Sequence, residues 1–280
     1  IGFEAHPFVI NITKAKMCWN LKFNSIEKFL NDLNNDFESI YLKKSKSIDL
    51  EEYFPELVLK CYPSNTLIKL MIIRDYFNDS ELGNNEKKFL FVAITALLRG
   101  VSSAATGWPY IAPKKAKVTS EGKDALVEFL KLSYSMLEDV KYINNIATPE
   151  HKKSKHKLIL GSSTDVSKHI PDETIDHIFT SPPYFSVERY SHDDTQSWVR
   201  YKNIDVWNEH FLHKALGKII PTVKKGGIIA VNIADVYASS KGGKDWLEIC
   251  NPMIDFLTSQ GLTYKGCIGM EMAKRPNSGG

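Results

Sequence analysis

The residues that concentrate the most chemistry in this chain are Ser181-Pro182-Pro183-Tyr184-Phe185, which follow Thr180 at the end of the apolar run Ile175 to Phe179. A short apolar run that stops at such a turn reads as a buried strand delivering a rigid loop to its carboxyl end. Two prolines fix the backbone and lack N–H donors, so the carbonyls of Ser181 and Pro182 are presented as rigid acceptors, with the Ser181 hydroxyl beside them. Tyr184 adds a flat face on which a planar ring can stack. The alternative is a proline-rich surface turn, and the rest of the chain has to decide between the two.

The elements needed to hold that loop are present. At 280 residues, 43% hydrophobic and 25% charged, the chain is long enough for one large domain or two smaller ones. No run of about 18 apolar residues occurs, so no membrane span is expected. The start at Ile1, without a charged-then-apolar leader, gives no sign of a secretory signal, and with the Gly279-Gly280 end it reads as a fragment or as joined segments. The net charge of +3 does not by itself demand nucleic acid, but lysines cluster at 43-44-46, 114-115-117, 152-153-155-157 and 224-225, either as solvated surface or as phosphate contacts. Cys18, Cys61, Cys250 and Cys267 are widely spaced with no Cys-x-x-Cys pair, which fits reduced cytoplasmic thiols and no metal site.

In chain order, Ile1 to Glu4 reads as the end of a strand, and Ala5-His6-Pro7-Phe8 opens a helix with apolar Phe8, Ile12, Ala15 and Trp19 on one face. An acidic residue at the end of a Rossmann-type second strand accepts hydrogen bonds from both ribose hydroxyls of a nucleotide, and Glu4 is placed for that. Residues 20–156 read as mainly helical, with helices over Leu50 to Cys61, Asn65 to Phe77, Asn85 to Ser103 and Lys123 to Asn144. Between the last two, a loop carrying Trp108, Tyr110, Lys114 and Lys115 either stacks on bases and meets phosphate or plugs the helical bundle.

From Lys157 the pattern alternates. A strand to Leu160 leads to Gly161-Ser162-Ser163, then the strand before Ser181, then a polar flap over Val187 to Tyr201 with Arg189 and Tyr190. A helix capped by Asp205 runs to about Ile220, and Lys224-Lys225-Gly226-Gly227 turns into a strand over Ile228 to Ile233. Asn232 and Asp235 lie near the loop by topology, although capping the next element is the simpler role. A helix around Trp246 to Ser259 and an edge hairpin or strand pair over Leu262 to Met272 complete the pattern.

Thr180-Ser181-Pro182-Pro183-Tyr184 resembles motif IV of the S-adenosylmethionine-dependent amino-methyltransferases of DNA, in a common N4-cytosine spelling. Gly2-Phe3-Glu4-Ala5-His6-Pro7-Phe8 resembles their motif II, and Gly161-Ser162-Ser163 their Gly-Asp-Ser motif III, with Ser162 in place of the aspartate. The resemblance implies an α/β fold, a Rossmann-like class I methyltransferase sheet, with residues 1–19 and 157–280 as catalytic domain and residues 20–156 as a long helical insertion in possible contact with DNA. It implies S-adenosyl-L-methionine as cofactor, held by Glu4 at the ribose and by His6, Pro7, Phe8 and Ser162 about the adenine. The family's Phe-x-Gly-x-Gly loop, which meets the methionine part, has no counterpart in the sequence; it is expected upstream of Ile1, or else the cofactor is held poorly.

On the same resemblance Ser181, Pro182, Pro183 and Tyr184 are catalytic, and Phe185, Arg189, Tyr190, Trp108, Lys114 and Lys115 bind substrate. An exocyclic amine is a poor nucleophile because its lone pair is delocalised into the ring. Acceptors for both N–H groups, from the Ser181 side chain and the Pro182 carbonyl, favour a pyramidal nitrogen aimed at the methyl group. The base must first be flipped out, with Tyr184 stacking on it. None of the eight histidines needs a catalytic role. The implied partners are double-stranded DNA and a cognate restriction endonuclease, with no membrane, in a bacterial or phage-like cytoplasm at the nucleoid. Serine in motif IV favours N4 of cytosine, while N6 of adenine, an RNA or protein-glutamine acceptor, and a non-catalytic DNA-binding subunit are the alternatives.

Overall fold

The computed structural model describes residues 1–106, 111–116, 123–187, 192–240 and 243–270. They fall into two compact units, Ile1–Gly161 and Ser162–Gly280. The units are cut differently from the expected 1–19 plus 157–280 grouping, because the first strand and helix are counted with the helical region.

In the first unit, β1 (Gly2–Glu4) is followed by α1 (Pro7–Lys16), whose N-cap is His6. The buried face of α1 is Ile10 and Ala15, not Phe8, which is 46% exposed. Next come α2 (Phe23–Lys44), α3 (Leu50–Tyr53), α4 (Glu56–Cys61), α5 (Ser64–Asn78) and α6 (Asn84–Val101). The sequence reading joined α3 and α4 into one helix. Pro55 forbids that, because a residue before proline is pushed out of the helical region, and Phe54 has φ −127° and ψ 136°. The core joins Ile26, Phe29, Leu30, Leu33 and Phe37 of α2, which recur at helical spacing, with Ile72 and Ile73 of α5 and Phe89, Leu90, Ala93 and Leu97 of α6 in one cluster.

The expected loop after α6 contains an antiparallel pair, β2 (Ala104–Thr106) and β3 (Ile111–Ala116). Then α7 (Ala125–Ile146) starts at Asp124, whose carboxylate accepts from the Leu126 and Val127 amides and pairs with Lys69 of α5. The short α8 (Pro149–Lys153) leads to β4 (Leu158–Leu160), which pairs in parallel with β1.

In the second unit, a 3₁₀ turn over Ser163–Lys168 precedes β5 (Ile175–Thr180). After α9 (Ser197–Arg200), one helical rod contains α10 (Ile204–Trp207), a π-helical turn over Asn208–His213 and α11 (Lys214–Ile219). Its cap is Asn203 rather than Asp205: the Asn203 side chain accepts from the amides of Asp205 and Val206. The following strand, β6 (Val223–Val231), pairs in parallel with β5 and bulges at the Lys-Lys-Gly-Gly segment, where the register jumps from Ile175–Val223 to His177–Ile228. An antiparallel pair, β7 (Val236–Ser240) and β8 (Gly243–Leu247), then takes up Trp246, which was expected in the last helix; that helix, α12, covers only Cys250–Ser259. Residues 262–270 carry no strand or helix where a hairpin was expected. Among the described residues no helix is long and apolar enough to cross a membrane.

Candidate functional site

In the second unit β5 ends at Thr180 and hands over directly to Ser181. The neighbouring strand fixes that end. The Asn232 backbone amide donates to the Thr180 carbonyl at 2.8 Å, and its side-chain amide lies 3.5 Å from Ser181 Oγ, as donor. Ser181 is exposed, while Pro182, Pro183 and Tyr184 are partly exposed. Among the described residues neither the Ser181 nor the Pro182 carbonyl accepts a hydrogen bond. Among the described residues both are thus open acceptors, on a backbone that the prolines hold stiff. The turn closes where Val187 N–H donates to the Tyr184 carbonyl at 3.3 Å, and Ser186 is held at φ 55°, a left-handed conformation uncommon for a residue with a Cβ.

Phe185, expected to bind substrate, is only 7% exposed and packs edge-on against Trp207, with ring centroids 5.8 Å apart. Asp235 accepts from the amides of Ile249 (2.8 Å) and Cys250 (2.9 Å), so it serves the start of α12. Burial alone would raise its carboxyl pKa, but those two donors outweigh burial and hold it below the usual carboxylate range. Burial and the Asp235 carboxylate push the Cys250 thiol up to about 11, which keeps it protonated and unreactive.

In the first unit Glu4 stands at the carboxyl end of β1. Its Oε1 accepts from the His6 amide at 2.7 Å, and Oε2 carries no hydrogen bond among the described residues. His6 Nδ1 in turn accepts from the Phe8 amide at 3.2 Å, so the imidazole is used as a cap. Pro7 occupies the first helical position, and Phe8 meets Phe91 edge-on at 5.9 Å with its remaining surface open. A carboxylate oxygen left open among the described residues can hold a hydroxylated sugar, and an exposed aromatic ring four positions on can meet a planar base.

The chain is similar to a methyltransferase. Over 90 residues it is 31% identical to the Type II methyltransferase M.SfiI of Streptomyces fimbriatus, an overlap of 31% of this chain and 21% of that protein. It thus spans about a fifth of that relative's length. No family model matches the sequence, and no solved structure matches it.

The remaining predicted residues distribute unevenly. Ser162 caps the 3₁₀ turn, its Oγ 2.9 Å from Thr164 Oγ1 and accepting from the Thr164 amide. Lys114 and Lys115 sit on β3 rather than in a loop. Trp108, Arg189 and Tyr190 lie outside the described residues. Among the described residues no three His, Cys, Asp or Glu side chains converge as around a metal. A groove of about 840 Å³ in the first unit, lined by Lys28, Asp32, Lys44, Asp75 and Tyr76 among others, has both lysines paired to its aspartates and contributes nothing to this chemistry. Sequence reasoning missed the contact between Phe185 and Trp207. The only available signal was that both are large aromatic residues near the same strand end.

Proposed function

We propose that this chain belongs to an S-adenosylmethionine-dependent DNA methyltransferase of Rossmann-like class I fold, acting on the exocyclic amine of a flipped base, with N4 of cytosine preferred. The observation that carries the reading is a pair of acceptors at the end of a parallel strand, next to Tyr184: Ser181 Oγ, met by Asn232 at 3.5 Å, and the Pro182 carbonyl, which accepts no hydrogen bond among the described residues. The similarity to a Type II methyltransferase supports it. The two parallel pairs, β1–β4 and β5–β6, are compatible with that fold.

Glu4, with Oε2 open among the described residues, and Phe8, exposed four positions on, fit the ribose and adenine of the cofactor. When bound, the cofactor supplies an electrophilic methyl group on a sulfonium. The chain's own residues prepare the acceptor. Ser181 Oγ and the Pro182 carbonyl take the two N–H groups of the amine, which draws its lone pair out of conjugation and directs it. Positive charge developing on nitrogen then meets two oxygens already oriented toward it, so little reorganisation is needed. Tyr184 offers its ring to the extruded base, since no base inside the stack can reach such a loop.

The test is to incubate the protein with methyl-labelled S-adenosylmethionine and mixed-sequence duplex DNA and to digest to nucleosides. Label in N4-methylcytosine is the expected result. Label in N6-methyladenine would change the target base, and no label in DNA despite cofactor binding would overturn the DNA assignment. In the same assay Ser181→Ala lowers kcat about 100-fold, the order found when one preorganised transition-state partner is removed, with cofactor affinity kept. Glu4→Ala instead weakens cofactor binding about tenfold or more, as expected when a charged hydrogen-bond acceptor is lost. Equal loss of both properties in a folded Ser181→Ala protein would sink the division of roles.

A further inference from the structure

The Ser-Pro-Pro-Tyr loop presents its acceptors outward, so something behind it must fix where they point. Three features of the second unit converge there. Phe185, the next residue, turns inward and is 7% exposed. Its ring meets Trp207 at 5.8 Å and 65°, and Trp207 is completely buried and backed by Phe211 at 5.1 Å. Ser186 then takes φ 55°. A non-glycine residue persists in that conformation only where its surroundings over-determine it.

Trp207 is itself held by an unusual piece of helix. Trp207 and Leu212 are both buried, yet they are five residues apart, and in an α-helix only positions three or four apart share a face. The π-helical turn over Asn208–His213, with its i to i+5 bonding, widens the helix so that both fall on the packed side. The indole N–H of Trp207 finds no acceptor among the described residues. A buried donor left unmatched is costly, so hydrogen bonding does not account for a tryptophan here; the ring's size and flatness do.

We propose that Trp207 is the positioning residue of the Ser181–Tyr184 loop. Its ring seats Phe185, and Phe185 fixes the angle at which the loop offers Ser181 Oγ, the Pro182 carbonyl and the Tyr184 face. The kinetic consequence rests on the methyl-transfer reading above; the mechanical one does not. Trp207 touches no reacting atom and acts only through Phe185.

The experiment compares the unaltered protein with Trp207→Ala, Trp207→Phe and Phe185→Leu, reading labelled methyl transfer to duplex DNA and amide hydrogen exchange of the 181–187 segment. Trp207→Ala should lower kcat about 100-fold, the cost of a misplacement of about 1 Å, with KM for S-adenosylmethionine unchanged, and should speed exchange at Val187 N–H. Trp207→Phe, which keeps a ring and drops the unmatched donor, should restore most of kcat and the slow exchange. Phe185→Leu should reproduce the Trp207→Ala effects, and the double variant should be no worse than either, because both act through one contact. A folded Trp207→Ala protein with normal kcat and normal exchange, or with its loss confined to KM, overturns the inference. If Trp207→Ala does not fold, Phe185→Leu decides, and normal kcat and exchange there overturn it equally. Absence of methyl transfer by the unaltered protein would defeat the reading of the site, and the exchange rates would then decide the clamp alone.

Discussion

Ser181 has two lone pairs and one proton, and the fold brings one donor toward its hydroxyl oxygen. The Asn232 side-chain amide approaches Oγ from the end of β6 at 3.5 Å, a long contact that still leaves a lone pair for the amine of the proposed reaction. Long contacts of this kind tighten when a site is filled. Asn232→Leu removes the donor while its backbone amide still holds the Thr180 carbonyl, so the strand end should survive. Loss of one neutral hydrogen bond of about 1 kcal/mol corresponds to a kcat lowered about fivefold. Steady-state methyl transfer would measure this, and an unchanged kcat would remove Asn232 from the site. His6 is used differently from Asn232: its imidazole caps α1, which explains its position without any catalytic demand.

The strand that delivers Ser181 depends on how closely β6 can approach it. Gly227 sits at the bulge, and a Cβ there would lie 2.8 Å from the Asp176 carbonyl and 2.9 Å from the Lys224 carbonyl, both backbone atoms that cannot swing aside. Gly227→Ala must therefore spread β5 from β6, at a cost of about 1–3 kcal/mol typical of overpacking. Gly226→Ala is the control. Gly226 has φ +80° with open space around it, so an added methyl meets only the left-handed backbone penalty of about 1–2 kcal/mol. Chemical denaturation would rank the two, and methyl transfer should fall with Gly227→Ala alone, because only that change displaces the strand end that carries the loop. Equal activity loss in both variants would mean that the bulge does not govern the site. The Lys224–Asp176 ion pair at 2.8 Å bridges the same two strands, but both side chains are well exposed, so it contributes little.

The two units should respond to acid at different points. In the second, His213 lies flat on Phe256, with centroids 4.5 Å apart, and burial lowers its pKa below 6.5 despite opposing effects of Glu209 and the Pro252 carbonyl. A depressed histidine is neutral in the fold, so its contribution is complete above pH 6.5, declines as protons bind the unfolded chain below that, and is lost once pH passes the folded value. In the first unit Glu56 and Glu150 are lowered at the open surface, whereas the shifted carboxylates that are also partly buried are Asp75 and Asp124. Burial would raise both, but hydrogen bonds from Lys44 and Arg74 to the former, and from Lys69 and two helix amides to the latter, hold them below 3.8. Their contribution stands above pH 3.8 and goes only as pH falls through the depressed values. Hydrogen exchange followed from pH 6.5 down to 3.8 should show α11 and α12 losing protection before α5 and α7. Simultaneous loss, confined to the acid end, would exclude His213 as the controlling group.

The sequence by itself determined the local grammar. The strand running into Ser-Pro-Pro-Tyr, the proline-opened first helix, and the helices expected over 65–77, 85–103 and 123–144 follow from side-chain period, proline's fixed φ and capping residues, all of which act within a few positions. The burial expected of that strand does not follow, since none of its residues is buried and Phe179 is 78% exposed. Where a short-range rule was overlooked, as at Pro55 or at the Asn203 cap, the information was still present in neighbouring residues. The tertiary structure alone decided the rest. Parallel pairing of β1 with β4 joins segments more than 150 residues apart. The contact of Phe185 with Trp207 and the π-helical turn that follows Trp207 are announced by no periodicity in the sequence. Asn232 and Asp235 looked alike from the sequence, both polar and both at or beyond the carboxyl end of a strand. Only the fold sends one to Ser181 and the other to the start of α12, since which donors surround a side chain depends on what else the chain brings alongside.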